Sequence, residues 1–127
     1  MDSTTNSLNW FEIPVTDMNR ARHFYQVVFG IHMEQMNIAD MEMAGFPGEP
    51  GNGKASGALV KSDYHTPSMD GVIVYLNANP AMDDVVARIE PEGGQVLMAK
   101  TLITDEIGYM AFFKDTEGNR VAIHSQH

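Results

Sequence analysis

The chain reads as one half-domain written twice, and that repeat limits the folds open to it more than any other feature. At a shift of 63 residues, Gly30 falls on Gly93, Gly45 on Gly108 and Ser62 on Ser125. Phe46 then lands on Tyr109, Ile13 on Leu76, and the stretch 55–62 on 118–125. So few identities carry little alone, but the same order of predicted elements recurs at about the same shift, which marks an internal repeat. A site between two such halves draws side chains from equivalent positions of both.

The first module, 8–62, opens with a predicted strand from Leu8 to Val15 and a helix capped by Thr16 or Asp17. Met18, Ala21, Tyr25 and Val28 recur at helical spacing beside Phe24, and Gly30 is the stop. Strands follow at 31–37, 39–46 and 55–62, the last two separated by a Gly/Pro-rich loop. The second module, 71–125, repeats the order with a strand at 71–78. Asn79 is the expected cap, with Pro80 at the first helical position, and Met82, Val85, Val86 and Ile89 form the apolar stripe before Gly93 and Gly94. Strands near 95–102, 107–114 and 119–125 complete it, and 62–70 connects the halves. Two βαβββ units, each with one apolar sheet face and one helix, must share a core. The prediction is a single α+β domain, 1–127, in which two curved sheets face one another and make a cup.

The formal net charge of −9 argues against nucleic acid or an anionic membrane as partner, since neither attracts an acidic surface. A small molecule is the expected partner. There is no cysteine, so disulfides and thiol chemistry are excluded, and a cytoplasmic location is permitted and expected. The first nine residues carry neither a basic flank nor an apolar run, so no secretory signal is expected, and no stretch approaches transmembrane length.

Three segments carry a family resemblance. They are Trp10-Phe11-Glu12-Ile13-Pro14-Val15-Thr16-Asp17 with Arg20-Ala21 and Phe24-Tyr25 behind it, Phe29-Gly30, and Phe112-Phe113-Lys114-Asp115-Thr116-Glu117-Gly118-Asn119. Together they resemble the vicinal oxygen chelate superfamily, which groups glyoxalase I, bleomycin-resistance proteins, fosfomycin-resistance enzymes and extradiol dioxygenases. The resemblance implies a glyoxalase-like cup and a homodimer. The metal ligands of metal-dependent members would fall at Trp10, near Ile73 and at Ala122, with Leu59 as the fourth position by the repeat. None of these side chains is a donor for a divalent cation. No metal site and no cofactor are therefore predicted, and a divalent metal would require a rearranged site with Glu12 and His124 as its first ligands.

Two residues farther along the same strands stand Glu12, Lys61, Tyr75 and His124, paired by the 63-residue shift. Strand alternation predicts that they form a polar ring in the cup, with Trp10 as its floor. Plainer readings stand beside this one: Lys61 in solvent or in an ion pair with Glu12, His124 at the surface, Tyr75 and Trp10 as packing aromatics. The direction of any pKa shift at Glu12 would report its partner, upward if it is buried alone and downward beside His124 or Lys61. Two functions stay open. One is a small-molecule binding protein in the style of the bleomycin-resistance members. The other is an enzyme of lyase, isomerase or transferase type, with Glu12 and His124 as its acid/base groups or as metal ligands.

The remaining histidines, His23, His32, His65 and His127, show no metal-ligand spacing, and His65 lies in the connector. Ten methionines suit either an adaptable pocket or ordinary core filling. The loop 45–54 reads as either a lid or a long hairpin connection.

Overall fold

The computed structural model describes residues 1–127. Ten elements follow in the order β1 (Trp10–Pro14), α1 (Met18–Phe29), β2 (Glu34–Ile38), β3 (Met41–Gly45), β4 (Ser56–Lys61), β5 (Tyr75–Asn77), α2 (Met82–Ile89), β6 (Gln95–Thr104), β7 (Gly108–Lys114) and β8 (Arg120–Ser125). The chain is thus α+β, two βαβββ modules in sequence. Each builds a four-stranded sheet of the same order, β1-β4-β3-β2 and β5-β8-β7-β6. In both, the strand before the helix pairs parallel with the last strand, and the remaining pairs are antiparallel.

The first helix forms because Met18, Ala21, Phe24, Tyr25 and Val28 make one buried stripe and both of its ends are capped. Asp17 accepts the Arg20 N–H at 3.0 Å. At the other end Gly30 takes the left-handed conformation, φ 64°, and the Ile31 N–H reaches the Gln26 carbonyl at 3.0 Å, a closure that glycine allows without steric cost. The second helix ends in the same way, with Gly93 at φ 100° and the Gly94 N–H on the Ile89 carbonyl at 2.9 Å. Its start differs from expectation. Ala81 rather than Asn79 is the N-cap, and no side chain caps it. Asp83 and Asp84 in the first turn and Arg88 in the last complement the helix dipole instead. No helix is long and apolar enough to cross a membrane.

Both sheets turn their helix-bearing sides into one core. Ile13, Ala44 and Leu59 of the first sheet, Leu76, Ala111, Phe113 and Ile123 of the second, and the buried faces of both helices belong to a single apolar cluster. Tyr25 sits at its centre, in contact with Phe24, Phe29, Phe46 and Phe113 at ring separations of 5.1–6.4 Å. Gly57, opposite Phe11 in the parallel pair, leaves room for that ring; a Cβ there would run into the Phe11 carbonyl and ring.

The turn 115–119 clasps the two modules. The Asp115 carboxylate accepts the buried Tyr25 hydroxyl at 2.7 Å and the N–H groups of Glu117 and Asn119, each at 2.9 Å. Asn119 donates through Nδ2 to the Pro14 carbonyl at 2.7 Å and accepts the Ser68 N–H at 3.0 Å. Glu117, its side chain wholly buried, accepts the N–H groups of Thr16 and Asp17 at 2.9 and 2.8 Å and a two-pronged contact from Arg20. Burial alone would push its carboxyl upward. The Arg20 guanidinium, the two helix-start N–H groups and the Thr116 hydroxyl outweigh that and hold it at about 2. The same burial, with the Asp115 charge beside it, drives the Tyr25 hydroxyl well above its ordinary range.

Candidate functional site around Trp10 and Glu12

Alternation along β1 sends Ile13 into the core and Trp10, Glu12 and Pro14 to the outer side of the first sheet, opposite Ser56, Ala58 and Val60 of β4. Trp10 is 46% exposed, and its indole N–H donates to Glu12 Oε2 at 3.2 Å. The other carboxylate oxygen, Oε1, lies 2.8 Å from His65 Nε2. His65 Nδ1 in turn lies 2.6 Å from Ser62 Oγ, which also accepts the Tyr64 N–H at 3.0 Å. Two proton arrangements satisfy the whole chain, a neutral His65 whose Nδ1 accepts the Ser62 O–H and a protonated His65 whose Nδ1–H donates to Ser62 Oγ; in both, Nε2–H donates to Glu12. The His65 bond holds the Glu12 carboxyl below its usual range; partial burial works against it, and Trp10 and the His65 charge add to it.

A cavity of about 390 Å³ opens beside this group, between the free edge of β1 and the connector, with Trp10, Glu12, Thr66, Ser68, Val72, Val74, Asn119 and Arg120 among its walls. A second, more apolar cavity of about 680 Å³ shares Leu8, Phe11, Val72 and Val74 with it and extends past Phe29, Phe46 and Tyr75. Through that shared wall they make a groove of small-molecule dimensions, mostly apolar, with the charged groups Glu12 and Arg120 in the smaller cavity and Asn77 and Asn79 in the larger.

The other expected ring members do not gather around Glu12, although Tyr75 reaches the far part of the groove. Tyr75 and His124 stand on the outer side of the second sheet and line a different hollow with Ile103, Ile107 and Met110. Tyr75 packs edge-on against Phe112 at 5.9 Å, and His124 Nε2 lies 2.6 Å from the Ile107 carbonyl. Lys61 is on the opposite face of its sheet from Glu12 and pairs with Glu42 at 3.6 Å. The reason is a change of offset. Tyr75 follows Glu12 by 63 residues, but their β-partners Ala122 and Ala58 are 64 apart. A slip of one residue reverses every side chain of a strand, so the shift that works for β1 and β5 turns Lys61 to the wrong side.

The same correction replaces Leu59, a core residue, with Ala58 as the β4 counterpart of Ala122. Alanines at both positions offer no metal donor, and nowhere do three or more His, Asp or Glu side chains gather as a metal site would require. The residues present therefore do not fit the metal of metal-dependent relatives. Residues of the Ser62-His65-Glu12 chain outside β1 escape sequence reasoning, because only the folding of the connector back onto β1 joins them. The i, i+3 spacing of Ser62 and His65 was the one visible hint.

The sequence matches the model of the Glyoxalase/Bleomycin resistance protein/Dioxygenase superfamily over residues 7–123, and the chain belongs to that superfamily. It is 30% identical over 125 residues to CFP32 of Mycobacterium bovis, which is named as a putative glyoxylase; the match takes in 91% of this chain but only 44% of CFP32. In structure it is similar to the protein SA1046 of S. aureus, with a TM-score of 0.66, 19% identity and 94% of both chains covered. It is also similar to TnmS3, an antibiotic binding protein from Streptomyces sp. CB03234, with a TM-score of 0.63, 20% identity and coverage of 97% of this chain and 98% of that one. A maize glyoxalase I mutant aligns at a TM-score of 0.63 and 14% identity, over 93% of this chain and 46% of its own.

Proposed function

We propose that the protein binds a small organic molecule, without a metal, in the groove beside Trp10. The observation that carries this reading is the geometry of the groove mouth. An exposed indole is fixed by a carboxylate that is itself fixed by His65, beside apolar walls, so the polar groups are positioned before any ligand arrives. TnmS3 supports the reading to the extent that the same fold there belongs to an antibiotic binding protein. A thermal-shift panel of neutral and charged aromatic compounds tests it. Some members should raise the melting temperature saturably, and Val72→Trp, at a position 93% exposed, should abolish the rise by filling the groove. A flat response across the panel, or a rise indifferent to Val72→Trp, overturns it.

We further propose that two copies pair. The outer sides of both sheets carry half-exposed aromatics, Trp10 on one and Tyr75 on the other, and β1 and β5 are edge strands. Pairing the first sheet of one chain with the second sheet of another would set Glu12 across a cup from Tyr75 and His124 of the partner subunit. The enzymatic alternative, with Glu12 and His124 acting on one substrate, depends on that pairing. A one-chain mass by sedimentation equilibrium at tens of micromolar would refute it.

A further inference from the structure

Of the two charged side chains of the groove, Glu12 and Arg120, one has no partner. Arg120 opens β8 with its backbone N–H on the Ser68 carbonyl at 3.2 Å, and its side chain lines the 390 Å³ cavity with Trp10, Glu12, Val72 and Val74. The guanidinium makes no hydrogen bond and no ion pair, and its Nε is buried without an acceptor. The other arginines each make a side-chain hydrogen bond: Arg20 with Glu117, Arg22 through Nη1 with Gln35 at 3.4 Å although its Nε is buried without an acceptor, and Arg88 with the Val28 carbonyl at 3.2 Å. In a chain of net charge −9, carboxylates are the abundant partner, so a cation left bare at a cavity wall is a donor awaiting an acceptor from outside. Glu12 does not fill that role. Both of its oxygens are already held, by Trp10 and His65.

We propose that Arg120 anchors an organic oxyanion, a carboxylate or phosphate monoester, whose apolar body lies along Trp10, Val72 and Val74. A planar guanidinium presents paired N–H groups that match two oxygens of such an anion. The apolar walls then select for a hydrophobic remainder, which inorganic phosphate or acetate lacks. This inference rests on the small-molecule reading of the groove and adds the charge of the ligand to it.

Trp10 is the only tryptophan, so its emission reports this cavity alone. The test titrates 3-phenylpropionate and its neutral amide, 3-phenylpropionamide, against the whole protein, with Arg120→Gln and Arg120→Lys alongside and circular dichroism to establish that each variant is folded. The acid should bind at least tenfold tighter than the amide. Arg120→Gln should bring the acid down to the affinity of the amide and leave the amide unchanged, while Arg120→Lys keeps part of the preference. Equal binding of acid and amide, or a ratio that Arg120→Gln does not move, overturns the anion site and leaves the small-molecule reading intact. If neither compound perturbs Trp10, the anion site is likewise overturned, and the thermal-shift panel decides the small-molecule reading separately.

Discussion

Glu117 lies within the turn 115–119 and Arg120 just past it, three residues on, and they are treated in opposite ways. Every oxygen of Glu117 is held by donors from the first module, whereas the guanidinium of Arg120 has no acceptor. Burial of an ionised group is tolerated when its partners are complete, and an incomplete set is a cost the fold carries without return. The contrast separates two jobs that the sequence runs together. Asp115 to Asn119 hold the modules, and the residues just past them, with Trp10 and Glu12 opposite, face the groove.

Breaking the complete set should have the largest effect. Glu117→Gln is expected to destabilise the protein by about 3 kcal/mol, because Arg20 and the start of α1 lose their anion; denaturant unfolding measures it. The same residue sets an acid dependence. Its carboxyl is drawn from the ordinary 4.5 to about 2 in the folded state, so its stabilisation is complete above 4.5 and is lost as pH falls toward 2. Unfolding midpoints should decline across that window in the parent and decline less in Glu117→Gln. Tyr25→Phe removes one of the donors to Asp115 and should cost about 1–2 kcal/mol, read from thermal melts. Glu12→Gln keeps one acceptor oxygen, enough for either Trp10 or His65 but not both, and removes the charge, so a loss of about 1 kcal/mol is expected together with altered ligand binding. Arg120→Gln should leave stability within about 0.5 kcal/mol of the parent. A large loss there would mean that Arg120 belongs with Glu117, as part of the clasp.

Local rules made much of the fold legible. The Asp17 cap, the Gly30 and Gly93 stops, the stripe of α1 and the order of strands in both modules follow from residue chemistry within a few positions. The 63-residue shift also places Tyr75 correctly as the counterpart of Glu12. It fails at Lys61, because one extra residue between β5 and β8 changes the register, and no composition signal marks where a strand gains a residue. The partner of Glu12 was illegible for a different reason. Its position in β1 leaves the direction of its pKa shift open, upward if buried alone and downward beside His124 or Lys61, and His65, which does lower it, reaches it only through the tertiary path of the connector. Arg120 was hidden by its motif, as the first strand residue after a turn that reads as a unit.

The shared core also bears on how the molecule can come apart. A repeat in sequence suggests two bodies that melt one after the other. Here neither module retains a closed interior without its twin: parted, the first would bare Phe24 and Tyr25, and the second would strand Asp115 and Glu117 without the donors they were buried against. The duplication is thus a unit of description and not of folding, and heat or denaturant should take both halves through a single cooperative transition, with one midpoint whichever half carries the probe.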